Sequence, residues 1–160
     1  MIGSEDYREF LSQLIGHLQK EYGREFVSLV LYGSVSRGEA REDSDIDLIL
    51  VLDNPPPQYY KRTEQLMKVL DEVEREVGGS RALLNPIVFS KAEAMENRYL
   101  FLDIVEDGKI LYDWDDFFQE RLSTLKRRLQ ELGSKKVYLK DGSWYWVLKP
   151  DLKLGEIFEL

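Results

Sequence analysis

The stretch LVLYGSVSRGEAREDSDIDLILVL, residues 29–52, decides the fold that this chain is expected to adopt. A β-branched and aromatic run covers residues 26–32 and stops at Gly33-Ser34, and a second apolar run covers residues 46–52. This order predicts a strand, a glycine turn, a short helix or loop, and a second strand. The second run is almost wholly apolar, which is typical of a strand buried on both faces.

Two carboxylates, Asp45 and Asp47, stand at the start of that apolar second strand. Because side chains alternate along a strand, the two are expected to point the same way, roughly 6–7 Å apart. Two like charges beside an apolar strand cost free energy unless a cation lies between them. Carboxylate oxygens suit Mg²⁺ (or Mn²⁺), which takes one or two carboxylates plus substrate phosphates. We therefore predict that Asp45 and Asp47 are metal ligands.

The turn between the strands has the composition of a phosphate site. Gly33 lets the backbone approach a phosphate with no side chain in the way. Ser34 and the amides after it, at a helix start, supply hydrogen-bond donors and a partial positive charge. Arg37 can add a phosphate contact through its planar guanidinium. Together with the two aspartates, these residues predict a site for a metal-bound triphosphate.

Composition excludes several other classes of function. The 160 residues include 30 acidic and 22 basic ones, a net charge of −8, whereas a protein that clamps long nucleic acid needs a basic surface. There is no cysteine and one histidine, so disulfides, thiolate metal sites and histidine metal sites are not expected. The sequence shows neither a signal-peptide pattern nor an apolar run of membrane length. We expect a soluble, cytoplasmic protein with no membrane partner.

The remaining patterns predict a mixed α/β (α+β) sheet flanked by helices, with a C-terminal helix and β-hairpin extension. We place a core domain at residues 1–95 and the extension at residues 96–160, packed on the core or on a partner. The other predicted elements are helices over 4–23, 58–77, 92–106 (in two pieces) and 115–132, strands over 81–90 and 109–112, and a hairpin around Asp141-Gly142. Pro86 places the 81–90 strand at an edge or a bulge.

Gly33-Ser34, ten further residues and Asp45-Ile46-Asp47 together resemble the GSx10DxD motif of the polymerase-beta-like nucleotidyltransferase superfamily. Within it the stretch looks most like the minimal nucleotidyltransferases, which include the antitoxin halves of some toxin–antitoxin pairs. Arg37 and Ser44 agree with the motif's flanks. The match is close over residues 29–52 and rests on element order alone over 5–90.

The resemblance implies an enzyme that moves a nucleoside monophosphate from an NTP, with ATP as first candidate, to a hydroxyl of a protein or small molecule. Asp45 and Asp47 are then the catalytic residues and hold Mg²⁺ or Mn²⁺, while Gly33, Ser34, Arg37 and Ser44 bind the nucleotide. A protein partner such as a toxin is implied, and a homo-oligomer stays open. The alternative is a nucleotide-binding module with little or no transferase activity, which acts as antitoxin or regulator by contact.

The alternative has a specific basis, because the superfamily typically places a third carboxylate on a neighbouring strand as general base. The predicted strand over 82–89 has no acidic residue, and Asn85 is its nearest polar side chain. An amide can ligate a metal but cannot accept the proton. Three alternatives are open. Asp103 or Asp107 takes the place of the third carboxylate, the metal-bound hydroxyl needs no protein base, or the chain binds nucleotide with little or no transferase activity.

Trp144, Tyr145 and Trp146 form an aromatic run on the predicted hairpin. Such a run can stack on a nucleobase. Aromatic side chains that alternate on a hairpin more often serve cross-strand and core packing, and we favour packing here.

Overall fold

The computed structural model describes residues 4–41, 43–78 and 84–160. The helices are α1 (Ser4–Tyr22), α2 (Gly33–Arg37), α3 (Tyr59–Val77), α4 (Lys91–Ala94), α5 (Tyr99–Asp107) and α6 (Phe117–Leu132). The strands are β1 (Phe26–Tyr32), β2 (Ile46–Leu52), β3 (Leu84–Ser90), β4 (Lys109–Asp113), β5 (Lys135–Tyr138) and β6 (Trp144–Val147).

The main sheet has the strand order β3-β2-β1-β4. Strand β1 runs antiparallel to both β2 and β4, whereas β2 and β3 are parallel. The sheet is therefore mixed, as the sequence predicts. Strands β5 and β6 form a separate antiparallel hairpin. The central pair β1–β2 brings the end of β1, where the glycine turn begins, beside the start of β2, where the aspartates lie.

Helices cover both faces of this sheet, which confirms that β2 is buried on both sides. Leu48 and Leu50 of β2 pack with α1 and α3, while Ile49 and Val51 pack with α5 and α6. Each of these four side chains is buried. The near-continuous apolar run in β2 thus follows from its central position between two helical layers.

One predicted start is not tested by the structure, and another is wrong. Residues 79–83, which include the start of the predicted third strand, lie outside the described residues, and β3 begins at Leu84. Helix α6 begins at Phe117 and not at Asp115, because Asp115 and Asp116 have positive φ angles of 55° and 52°. Pro86 lies in β3, which is an edge strand of the sheet, as predicted.

The later part of the chain packs on the sheet. Strand β4 pairs with β1, and α5 and α6 cover the second face. The division that we predict at residue 95 falls between α4 and α5 and stays a prediction. In the part of the chain that the structure describes, no helix is long and apolar enough to span a membrane.

Candidate functional site

Gly33 directly follows β1, has a backbone conformation that favours glycine, and lies against Asp47. Its φ angle is +76°, in the left-handed region. A Cβ atom added at this position would collide with the Asp47 carboxylate. The absence of a side chain at Gly33 therefore allows the turn and the carboxylate to share one small volume.

Three neighbouring strands place polar side chains at the level of Asp47. In the strand register, Asp47 of β2 faces Tyr32 of β1 on one side and Asn85 of β3 on the other. The Asn85 Nδ2 donates a hydrogen bond of 2.8 Å to Asp47 Oδ1. Burial raises the pKa of the Tyr32 hydroxyl to about 12, and the charges of Asp47 and Tyr59 add to the rise. Tyr32 therefore stays protonated at neutral pH beside the carboxylate.

Asp45 precedes β2 and is exposed to solvent, whereas Asp47 is half-buried. Asp45 makes no hydrogen bond or ion pair with any other residue that the structure describes. It therefore keeps both of its oxygens available. Mg²⁺ ligation by one or two carboxylates, completed by water and phosphate oxygens, fits this donor set. Groups of three or more Asp, Glu, His or Cys side chains suited to a metal do not occur within the described ranges.

Helix α2 carries the predicted nucleotide-binding residues of the turn. Ser34 is half-buried, and Gly38 ends the helix in a left-handed conformation with φ +75°. Arg37 donates from Nε to Glu39 Oε2 at 2.9 Å. The Ser36 hydroxyl donates to the main-chain carbonyl of Asp107, which fastens α2 to the end of α5.

Ser44 has a local role in the loop before β2. Its hydroxyl accepts a hydrogen bond of 2.7 Å from the Arg41 amide, and its own amide donates to the Arg41 carbonyl at 3.1 Å. Ser44 therefore helps to shape the approach to Asp45. Its contact with nucleotide stays a prediction, like those of Gly33, Ser34 and Arg37.

The two acids considered as a replacement for the third carboxylate both contact residues of the β5–β6 hairpin. Asp103 accepts hydrogen bonds from the indole Nε1 atoms of Trp144 and Trp146 at 2.8 and 3.1 Å. Asp107 lies 3.7 Å from the Lys136 ammonium. On β3, the side chain beside Asp47 is that of Asn85.

The contact between the β5–β6 hairpin and α2 is not predicted by the sequence. Trp146 packs against the buried side chains between the sheet and helices α5 and α6, so the packing interpretation of the aromatic run holds for this residue. The Arg37 guanidinium, however, lies 4.8 Å from the centre of the Trp144 ring. The alternation of Trp144 and Trp146 indicates one aromatic face on the hairpin. It gives no sign that the face meets α2.

The model of the nucleotidyltransferase domain family matches residues 11–137 of this chain. The chain belongs to this family. The assignment confirms the resemblance to the polymerase-beta-like superfamily that residues 29–52 carry, and it extends that resemblance through β4 and α6. Family membership supports a transferase that moves a nucleoside monophosphate.

One relative and two solved structures illustrate what this chain is similar to. A protein of Methanocaldococcus jannaschii that is named a protein adenylyltransferase is 27% identical over 118 residues, which are 72% of this chain and 78% of that protein. The crystal structure of spectinomycin adenyltransferase AAD(9) from Enterococcus faecialis with ATP and spectinomycin shares the fold. Its TM-score is 0.53 at 13% identity, over 78% of this chain and 64% of that one. A chain from a toxin–antitoxin crystal structure with AMP-PNP has a TM-score of 0.49 at 17% identity, over 76% and 91% of the two chains.

Proposed function

We propose that this chain transfers a nucleoside monophosphate from an NTP, with ATP as first candidate, to a hydroxyl acceptor on a protein, with Mg²⁺ held by Asp45 and Asp47. The contact between Gly33 and Asp47 carries the proposal. A left-handed glycine that makes room for a carboxylate brings the turn that we propose for phosphate and the side chain that we propose for the metal to one place. A turn with a purely structural role does not require a half-buried carboxylate in that volume.

The residues of the site divide the work in the following way. The main-chain amides of Gly33 and Ser34 and the Ser34 hydroxyl donate hydrogen bonds to the triphosphate. Arg37 neutralises phosphate charge through its guanidinium. Asp45 and Asp47 hold the Mg²⁺. The bound ion supplies charge stabilisation at the phosphate under attack and at the departing pyrophosphate.

A protein acceptor is favoured over a small molecule. The M. jannaschii protein that is named a protein adenylyltransferase is 27% identical over 72% of this chain and 78% of its own length. The likeness to the spectinomycin enzyme is one of fold, at 13% identity. The net charge of −8 disfavours long nucleic acid as the acceptor.

The test is label transfer from α-³²P-ATP with Mg²⁺, to candidate protein partners and in parallel to small-molecule hydroxyl acceptors. We expect label on a protein, and loss of that label in an Asp45→Asn/Asp47→Asn double variant. Asp53→Asn is a matched control, because Asp53 follows the same strand at its opposite end and is exposed. Transfer that survives the double substitution contradicts the proposed mechanism.

A second candidate function is a nucleotide-binding module that acts on a protein partner by contact, as antitoxin or regulator. The hydrogen bond from Asn85 to Asp47 favours it, because an amide stands beside the carboxylate on the strand where the superfamily typically has its general base. This candidate predicts MgATP binding and partner binding without label transfer. Label transfer at more than one turnover per molecule rejects it.

A further inference from the structure

Trp144 of the β5–β6 hairpin lies beside Arg37 of the phosphate-binding turn. We propose that Trp144 is a positioning residue, which holds the Arg37 guanidinium ready for the triphosphate of the nucleotide; the inference rests on the proposed function. The centre of the Trp144 ring lies 4.8 Å from Arg37 Cζ, within the range of a cation–π contact.

Arg37 has donors left over for a ligand. Its Nε atom donates to Glu39 at 2.9 Å, and its two terminal nitrogens make no hydrogen bond with any other residue in the described ranges. A tryptophan face attracts a cation without consuming its hydrogen-bond donors. The ring can therefore fix the plane of the guanidinium while the terminal nitrogens stay available for a forked contact with phosphate oxygens.

Trp144 is itself held in place from two directions. Its Nε1 donates to Asp103 of α5 at 2.8 Å. The Lys136 ammonium lies 4.3 Å from the ring centre and pairs with Glu106 at 3.0 Å, and the Lys136 side chain is 6% exposed. These contacts hold the ring in place beside Arg37, and the bond to Asp103 connects the ring to α5.

The same geometry argues against Trp144 as a stacking platform for the nucleobase. Two cationic groups approach the ring at 4.8 and 4.3 Å, and the side chain is only half-exposed. A base that stacked on a ring face occupied by Arg37 or Lys136 would have to displace that cation, and Lys136 is paired with Glu106.

Trp144 belongs to the part of this chain that the family's model does not cover. That model ends at residue 137, whereas Trp144 lies in β6. The motif therefore supplies Arg37, and a segment beyond the shared domain supplies the residue that orients it.

The test is the affinity for MgATP, measured calorimetrically without an acceptor. Trp144→Leu removes the ring and is expected to weaken binding by about three- to tenfold, whereas Trp144→Phe keeps an aromatic face and retains most of the affinity. Trp146→Phe is the matched control, because it removes the other indole bond to Asp103 and leaves the Arg37 contact in place. Circular dichroism checks the fold of each variant.

A double-variant cycle separates positioning from general packing. In an Arg37→Ala background, Trp144→Leu is expected to change MgATP affinity by less than about twofold, because the residue through which it acts is gone. An equal loss in both backgrounds overturns the inference. Wild-type protein that fails to bind MgATP overturns the proposed function and the inference with it. Wild-type binding that Arg37→Ala does not weaken overturns the inference alone.

Fluorinated tryptophan keeps the test decisive if Trp144→Leu does not fold. In a Trp114→Phe/Trp146→Phe background, incorporated fluorotryptophans occupy position 144 alone and lower the negative charge of the ring face while nearly preserving its shape. We expect MgATP affinity to fall with each added fluorine when Arg37 is present and to stay constant in Arg37→Ala. Affinity that is independent of fluorination in both backgrounds overturns the inference.

Discussion

Asp47 and Asp113 are both aspartates on strands that pair with β1, but their hydrogen-bond environments differ. Asp113 accepts hydrogen bonds from the Ser28 hydroxyl at 2.6 Å and from the amides of Phe118 and Gln119 at 3.0 and 2.9 Å. Within the described residues, Asp47 accepts one side-chain hydrogen bond, from Asn85. Both carboxylates are half-buried. The number of protein donors therefore separates a carboxylate that stabilises the fold from one that has acceptor capacity left for a ligand.

Asp47→Asn tests the ligand role of Asp47, because it keeps the shape of the side chain and removes its charge. We expect label transfer to fall by about 1000-fold, because a metal ligand supplies several kcal/mol of transition-state stabilisation. The melting temperature should change little. Asp113→Asn is the paired variant and should keep the transfer rate per folded molecule. A large loss of stability with Asp47→Asn would count against the ligand role.

Asp113→Ala is expected to lower the free energy of unfolding by about 2–4 kcal/mol. The substitution leaves the fully buried Ser28 hydroxyl without its acceptor and removes the cap from the first turn of α6. For a chain of this size the melting temperature should drop by about 5–15 °C. Thermal unfolding followed by circular dichroism measures this, and an unchanged melting temperature contradicts the structural role.

Gly33→Ala should cost about 1–3 kcal/mol of stability, because a Cβ there is strained at positive φ and collides with Asp47. Gly38→Ala is the matched control. Gly38 has nearly the same φ, +75°, but its Cβ would meet nothing within 4 Å. Both variants lose stability through backbone strain, and MgATP affinity should fall in Gly33→Ala alone. Equal affinities in the two variants would argue against a phosphate-binding role for the turn.

Asn85→Asp should have the smallest effect of the four substitutions. It tests whether a carboxylate on β3 can share a metal with Asp47. It replaces the donor to Asp47 with a second carboxylate, so the metal-free protein should lose about 1–2 kcal/mol through repulsion. Mg²⁺ should restore that loss, because the ion binds the folded state and relieves the repulsion. The measurement is the melting temperature with and without Mg²⁺, and Asn85→Ala is the control. A gain from Mg²⁺ no larger than in the control contradicts a shared metal position.

Local patterns predicted the centre of the molecule well. The limits of β1 and β2, the apolar character of β2 and the edge position of Pro86 all follow from residue type and spacing within a few positions of the chain. The start of α6 was misplaced because its cap, Asp113, acts from the end of β4 across the turn. The positive φ angles of Asp115 and Asp116 left no signal in the sequence.

The candidate site divides in the same way. Gly33, Asp45 and Asp47 are predicted from the sequence alone, because their residue types and spacing are unusual within one short stretch. The contact between Trp144 and Arg37 is not, because it joins a hairpin to a distant turn through tertiary packing. The donors to Asp103 also come from the hairpin, so its bonds to Trp144 and Trp146 could not be predicted from the local sequence either.

Pro86 has a consequence for how separate copies of the protein meet. It lies in the middle of β3, an edge strand of the main sheet, and faces Leu48 of β2 in the register. Because proline has no N–H, the open edge lacks a donor that a strand from another molecule would need for continuous pairing. Growth of the sheet from chain to chain, the first step towards fibres, is thereby disfavoured at the strand that also carries Asn85 to the site.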